Sequence, residues 1–419
     1  MLQALSEQST YSPSHKAPKV ILCVPAVMLL FASAAHAAGS QADYGFTPFL
    51  QAGYLYDSNL FRLSGQSEAQ SLLGSSHLSD MVYQAGGGLK YRVPVSQQTF
   101  TLAANGLYNK YDRYDYLDYT SGGASAAWDW KYGKSWNGLL SATYARDLQG
   151  FEETQIARKD IRNQSSFFAG ANFAMTPRWL LHVAAARDEQ QHSLSARKNL
   201  DRTIDRGVAE IRFTSPRGSY LGYKTVVRSG DYPNRDLVAA TQVDNSYKEY
   251  ENSLTVNWVE SAQSKLDGNL GYTTRNYDTF STRDFSGATW RLDYEWRPPS
   301  KLGLNASLWR DLDAYSDQIS SYVVESAGSL EALWFATTKL TFKADASKKY
   351  RDYSGDPNLN ATPAPSRHDR VVGYGVSAEY ALRERLKFDL GYLYENRESN
   401  VKDKEYDYYN LMATITAIF

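Results

Sequence analysis

From Phe285 to Arg297 the chain alternates without a break. Ala288, Trp290, Leu292, Tyr294 and Trp296 take one parity, and Thr289, Arg291, Asp293, Glu295 and Arg297 take the other. A β-strand turns successive side chains to opposite faces, so this segment carries one apolar and one charged face. The pattern recurs. Leu254, Val256 and Trp258 alternate with Ser253, Thr255 and Asn257, and Val372, Tyr374, Val376 and Tyr380 with Gly373, Gly375, Ser377 and Glu379. Phe388, Leu390, Tyr392 and Tyr394 alternate with Lys387, Asp389, Gly391 and Glu395, Leu393 being the exception. Strands of a soluble sandwich are usually about 5–6 residues long. These runs are about twice that, which suits tilted membrane spans with lipid on one face and water on the other.

The connections obey a second alternation. Tight turns stand at Gly133–Ser135, Thr176–Arg178, Pro216–Gly218, Pro298–Ser300, Thr337–Lys339 and Arg383–Arg385. Between them lie longer polar connections, including Asn59–Ser79, Gln149–Lys159, Gln190–Leu200 and Gly355–His368. Short turns alternating with long loops are the asymmetry of an outer-membrane barrel. The periodicity predicts about eighteen strands, near 46–58, 80–93, 98–112, 118–132, 136–147, 160–174, 179–189, 202–214, 220–230, 244–259, 265–277, 284–297, 302–312, 320–334, 340–352, 369–382, 386–396 and 405–419. The expected fold is therefore all-β: a transmembrane antiparallel up-and-down β-barrel with short periplasmic turns and longer extracellular loops. An even count returns the C-terminus to the periplasm.

Both ends of the chain carry processing signals. Lys16 and Lys19 precede an apolar run from Val20 to Ala35, and Ala35-His36-Ala37 is a small-x-small cleavage site. Residues 1–37 are expected to be a secretory signal peptide and 38–419 the barrel. Cys23, the single cysteine, lies inside the leader, so the exported part has no disulfide or thiol metal site. Tyr409, Leu411, Ile415 and Phe419 share one face of the last strand with Ala413 and Ala417. This ending resembles the C-terminal aromatic signal read by the barrel assembly machinery. The expected location is the cell outer membrane, with its lipid and lipopolysaccharide as surroundings.

The charge balance, 45 basic against 46 acidic residues, gives no reason to expect a nucleic-acid partner. His77, His182, His192 and His368 show no metal-ligand spacing, and no nucleophile elbow or phosphate loop occurs. No enzyme, cofactor or metal is expected.

Two groups of charged residues remain. The polar parity offers lumen candidates of both signs: Lys131, Arg212, Lys224, Arg275, Arg291, Lys343, Lys349 and Arg351, with Asp129, Glu210, Glu251, Asp267, Asp293, Glu331, Asp345 and Glu379. A strongly selective ion pore would favour one sign, so this set suits a neutral or weakly charged solute, such as a carbohydrate, or pairs internally. Arginines also recur once per hairpin near the outer ends of rising strands: Arg146, Arg187, Arg228, Arg310 and Arg397, in series with Arg275 and Arg351. Acids such as Asp80, Asp118, Asp160, Asp244, Asp284 and Asp369 open the descending strands. This extracellular rim reads three ways: ion pairs across each hairpin mouth, ligands for lipopolysaccharide phosphates, or a pore lining. Parity leaves these open, because Arg146 and Arg187 take the apolar parity while Arg275 and Arg351 take the polar one.

The segment Tyr56-Asp57-Ser58-Asn59-Leu60-Phe61-Arg62-Leu63 resembles the opening of a family of outer-membrane barrels, the EpsL-like proteins associated with exosortase systems. Ser79-Asp80-Met81-Val82 and Tyr394-Glu395-Asn396-Arg397-Glu398-Ser399 fit the same family. The resemblance implies a channel for biosynthesis or export of an extracellular polysaccharide, with the polymer and periplasmic export components as partners. It carries over no binding residues. The alternatives are a general or solute-selective diffusion porin, or a non-conducting surface scaffold whose lumen is plugged by Asn59–Ser79.

Overall fold

The computed structural model describes residues 44–153, 155–239, 243–313, 322–354 and 366–419. The expected signal peptide and most of the connection Gly355–His368 lie outside the described residues. Eighteen strands follow one another: β1 Gly45–Asp57, β2 Asp80–Val95, β3 Gln98–Tyr111, β4 Tyr119–Tyr132, β5 Trp136–Leu148, β6 Ile161–Ala174, β7 Trp179–His192, β8 Arg202–Thr214 and β9 Tyr220–Asp231. The second half is β10 Ser246–Ser261, β11 Ser264–Tyr277, β12 Phe285–Trp296, β13 Leu302–Asp313, β14 Tyr322–Phe335, β15 Leu340–Ser354, β16 His368–Arg383, β17 Leu386–Ser399 and β18 Tyr406–Ile418. Every strand pairs antiparallel with its sequence neighbours, and β18 pairs with β1 from Phe49↔Ile418 to Asp57↔Asn410. Closure leaves no free sheet edge, which a bilayer demands because lipid cannot satisfy backbone N–H and C=O groups.

The pairing is staggered. Phe46, at the start of β1, sits level through Tyr91, Leu102, Ala126, Ala142, Phe167, Arg187, Asp205, Ser229 and Lys248 with Asn276, next to the outer end of β11. Such a climb tilts the strands relative to the barrel axis. A 14-residue strand such as β7, tilted by about 40°, rises about 35 Å, more than the ~25 Å apolar band. The outer ends therefore project beyond the membrane.

The exposed large side chains follow the parity read from the sequence. Leu50, Leu89, Leu102, Leu140, Leu254, Leu270, Leu330, Leu390 and Leu411 all point outward. Stacked pairs Phe100–Trp128, Trp136–Phe173 and Trp334–Phe342, with edge-on Trp179–Phe213, mark the periplasmic end of this band. Tyrosines including Tyr83, Tyr144, Tyr250, Tyr272, Tyr350 and Tyr374 mark the outer end. From Trp136 to Tyr144 the rise is about 20 Å, a fair match to the apolar band. Leu270, 61% exposed in the isolated chain, lies midway on β11. Leu270→Arg is expected to destabilise the barrel by about 2–4 kcal/mol. Asn269→Arg, one residue away on the inner face, should cost much less. Urea titration in lipid vesicles reads both, and equal costs would contradict the assigned faces.

Candidate functional site

All the lumen candidates fall on the inner face, and most of them are ion-paired, the majority in two networks that span neighbouring strands. In the first, Glu210 binds Arg212 at 2.6 Å and accepts the Thr255 hydroxyl. Glu251 meets Lys224 at 3.1 Å and Arg228 at 2.9 Å. Glu249 is gripped by Arg228 and by two nitrogens of Arg275, at 2.8 and 2.6 Å. In the second, Asp293 binds Arg291 at 2.7 Å and accepts the Ser307 hydroxyl. Glu331 binds Lys343 at 2.6 Å and accepts Asn305. Glu325 takes Arg351 at 2.8 Å and the Trp309 indole N–H at 2.9 Å. Asp267 meets Lys265 at 2.9 Å, and Glu379 meets Lys387 at 3.2 Å. Lys131 and Asp129 lie near the periplasmic end of β4, and Lys349 and Asp345 alternate along β15. Most of the mixed charges are thus paired along the wall.

The wall has two characters. On β18 and β1 to β5 the inner face at mid-height carries Thr414, Gln51, Gln84, Asn105, Asn109, Ser121 and Ser125, with Gly53, Gly86, Gly88 and Gly123. Gln84 donates to Asn109, which donates to Ser121. At Gly86 a Cβ would fall 2.0 Å from the Gly106 carbonyl oxygen, an approach only glycine permits. The charged networks occupy β8 to β15, across the ring.

Burial varies along the wall. Lys343 and Asp267, low on the wall, keep about two-fifths of their side chains exposed, while Asn172, His182 and Asn257 at similar depth are buried, as are Glu249, Arg275 and Glu325 near the outer end. Losing Arg275 would leave Glu249 buried with one partner fewer. Arg275→Ala is expected to cost about 3–5 kcal/mol. Arg187→Ala, in a half-exposed outward pair with Asp205, should cost much less. Paired urea titrations check the contrast, and equal losses would contradict it.

Loops produce this outer burial. The connection after β1 carries helix α1, Gln66–Leu73, and folds inward onto the outer ends of β2 to β6. Leu60, Phe61, Leu63 and Ala69 pack there with Val82, Tyr111, Tyr114, Leu117 and Phe151. Phe61 meets the rings of Tyr114 and Phe151 edge-on at 4.8 and 4.7 Å. The connection between β5 and β6 reaches further. Its Glu153 lies 3.0 Å from Arg351 on β15, 3.4 Å from Arg397 on β17 and 3.6 Å from Arg367. In an 18-strand ring β6 and β15 stand opposite each other. The loop therefore crosses the mouth. Burial pushes the neighbouring Glu152 carboxyl up, against the pull of Arg62.

The segment that carries the family resemblance builds this inward fold. Asp57 holds Arg62 at 2.9 Å and caps the N–H of Asn59. The Asn59 amide spans the loop, donating to the carbonyls of Leu63 and Asp407 and accepting from the N–H of Leu63. Arg62 lies 3.4 Å over the ring of Tyr408 and its carbonyl accepts Gln155. Asp57, Asn59 and Arg62 thus fix a turn or tie one segment to the next.

The rim arginines divide by facing. Arg146, Arg187 and Arg310 point outward at the level of the tyrosine belt. Arg228 and Arg397 point inward, as do Arg275 and Arg351. Asp369 meets a rim arginine, Arg397 at 3.6 Å, but the other acids that open the descending strands bind loop amides and do not pair across each hairpin mouth as the sequence suggested. Asp80 accepts the N–H groups of Arg113 and Tyr114, Asp118 that of Tyr111 and Asp284 that of Tyr277. Asp160 accepts Leu194, and Asp244 accepts Thr279 and Phe280. Where the strand ladder ends, loop amides need acceptors, and carboxylates take that role. Of the histidines, His182 on the inner wall meets Asn172 at 2.8 Å, and no group of three metal-ligating side chains occurs among the described residues.

A family model described as "Putative beta-barrel porin 2" matches residues 262–419. No curated protein matches the chain in sequence. Among solved structures, the chain is similar to OpdK of Pseudomonas aeruginosa, at 10% identity and a TM-score of 0.48, covering 89% of this chain and 99% of that one. It is similar to OccK2 (OpdF) of the same organism, at 10% identity and 0.49, covering 90% and 98%. It is also similar to OccAB3 of Acinetobacter baumannii, at 8% and 0.48, covering 89% and 99%. Likeness at this level carries no argument about solutes. The chain is a porin-like β-barrel of the Gram-negative outer membrane.

Proposed function

We propose that this barrel is an outer-membrane channel for passive diffusion of a small polar solute, narrowed at its outer mouth by inward-folded loops. The observation that carries the reading is the polar inner wall beneath a mouth crossed by loops. The wall is polar and largely paired in charge, and its outer mouth is filled by side chains from the connections after β1 and β5. Balanced ion pairs impose no strong preference for one sign of ion, and the amide, hydroxyl and glycine wall opposite offers hydrogen bonds without charge. The polysaccharide reading keeps the resemblance of Tyr56–Leu63 as its support, and the geometry assigns those residues to folding the loop. The test is the purified full-length protein in planar bilayers and in liposomes. Discrete conductance steps, with swelling in galactose that falls off over an oligosaccharide series, are expected. A barrel that stays silent, with and without its crossing loop, would exclude the reading and favour a scaffold.

A further inference from the structure

We infer that Phe49, with the amides of Gln51 and Asn105 beside it, forms a site in the lumen for the ring of a neutral pyranose sugar. Phe49 takes the inner parity of β1 with Thr47, Gln51 and Gly53, while Phe46 and Leu50 face lipid. It belongs to neither hydrophobic cluster of the outer mouth, and its side chain is partly exposed. The ring therefore stands on a polar wall where neither lipid nor the loops cover it.

The sheet register puts Phe49, Gly88, Asn105 and Gly123 side by side on β1 to β4. Large and absent side chains thus alternate along this row. A Cβ at Gly88 would fall 2.8 Å from Cε1 of Phe49, 2.8 Å from Cβ of Asn105 and 2.4 Å from the Ala104 carbonyl oxygen. Glycine lets the ring and the amide lean toward each other over bare backbone. At Gly123 a Cβ would lie 3.3 Å from Oδ1 of Asn105, so the amide head rests over the second glycine. The row spans three strand spacings, about 14 Å, enough for a sugar ring with its substituents.

Hydrogen bonding separates these amides from the set above them. Gln84 donates to Asn109 and Asn109 to Ser121, so that set is satisfied within the wall. The side chains of Gln51 and Asn105 hydrogen-bond to no other described residue. Each amide offers a carbonyl acceptor and an NH2 donor, which together complement neighbouring hydroxyls. A ring beside free amides suits a ligand with an apolar face and a polar edge. A pyranose is such a ligand: its axial C–H bonds pack on the ring, and its hydroxyls reach the amides. The row itself carries no charge. Lys90, two residues from Gly88 toward the periplasm, is the ionisable neighbour on the same inner face. Recognition needs no ion pair, and binding of this modest strength lets the solute move on.

This inference deepens the channel reading and rests on it for access, but its test measures binding without transport. Full-length protein in detergent is titrated by saturation-transfer NMR with methyl β-galactopyranoside and with galactitol, which keeps the hydroxyls but has no ring. Saturable binding of the pyranoside is expected, with transfer strongest to its C–H face and affinity unchanged in about 1 M salt. Phe49→Leu should weaken binding about tenfold, whereas Phe49→Trp should retain it. Gln51→Ala should weaken it severalfold and carries the test if the leucine variant fails to assemble, as heat-dependent gel mobility reports. Unchanged affinity in Phe49→Leu and Gln51→Ala, equal binding of galactitol, loss of binding in salt, or no binding by wild type would overturn the site. Silence in bilayers with the expected binding would sink the channel reading alone, and conductance without sugar binding would sink the site alone.

Discussion

Excising residues 150–158 and joining β5 to β6 through a tight turn is expected to raise the conductance of the reconstituted protein severalfold. The connection leaves one side of the ring and ends on the other, where Glu153 meets Arg351, Arg367 and Arg397. Its removal clears the mouth where side chains of the connections fill it. It also withdraws Phe151 from Phe61 and Gln155 from the Arg62 carbonyl, so the loop after β1 loses two supports. The strands should persist, because the β5–β6 ladder runs from Leu148↔Ile161 to Trp136↔Phe173 without help from the loop. Heat-dependent mobility on gels confirms folding before conductance is read. Conductance equal to wild type in a folded variant would mean that the loop does not limit the pore.

Thr414→Pro should have the largest effect on assembly. β18 is paired on both sides, and Thr414 faces Gly53 of β1 and Asp389 of β17. Proline removes a ladder donor and cannot sit in a central strand. In a soluble sheet the damage would stay local, but here it falls on the closing seam, and an open edge in lipid leaves backbone groups without partners. Protease-resistant, heat-modifiable barrel should be absent from the outer-membrane fraction. Phe419→Asp probes the same strand more mildly. Its N–H donates to the Pro48 carbonyl, and Tyr409, Leu411 and Ile415 share its outward face. A reduced folded fraction is expected from the assembly-signal reading. Wild-type yield for Thr414→Pro would contradict the seam argument.

The strands were legible because the bilayer imposes one rule on every one of them. Apolar side chains must face lipid, so period two survives from β1 to β18, and the same parity placed Arg212, Glu251, Arg291 and Glu331 inside. What lay beyond the membrane was less legible. Glu153 meets a residue 198 positions away, and no periodicity predicts that. A hint was present: Leu60, Phe61, Leu63 and Phe151 sit in connections otherwise polar, and such residues need somewhere to be buried. Helix α1 went unread because its apolar residues are few and its neighbours polar. Arg62, Glu249, Glu325 and Arg367 were missed as site residues, the first and last because they lie in connections, outside any strand alternation. Asp369 apart, the strand-opening acids were misread as partners of the rim arginines because charge is visible in a sequence and backbone amides are not.

Those acids have a mechanical meaning. Asp80 opens β2 but holds the loop between β3 and β4; Asp160 opens β6 but holds the loop after β7; Asp244, ahead of β10, holds the loop after β11. Each fastening joins one hairpin to the next, so the extracellular rim is buttoned sideways in three places. A force on one surface loop, from a docking phage or an antibody, is shared with its neighbour through a carboxylate. The outer rim thus behaves as a partial hoop, stiffer around its circumference than the lengths of its loops would suggest.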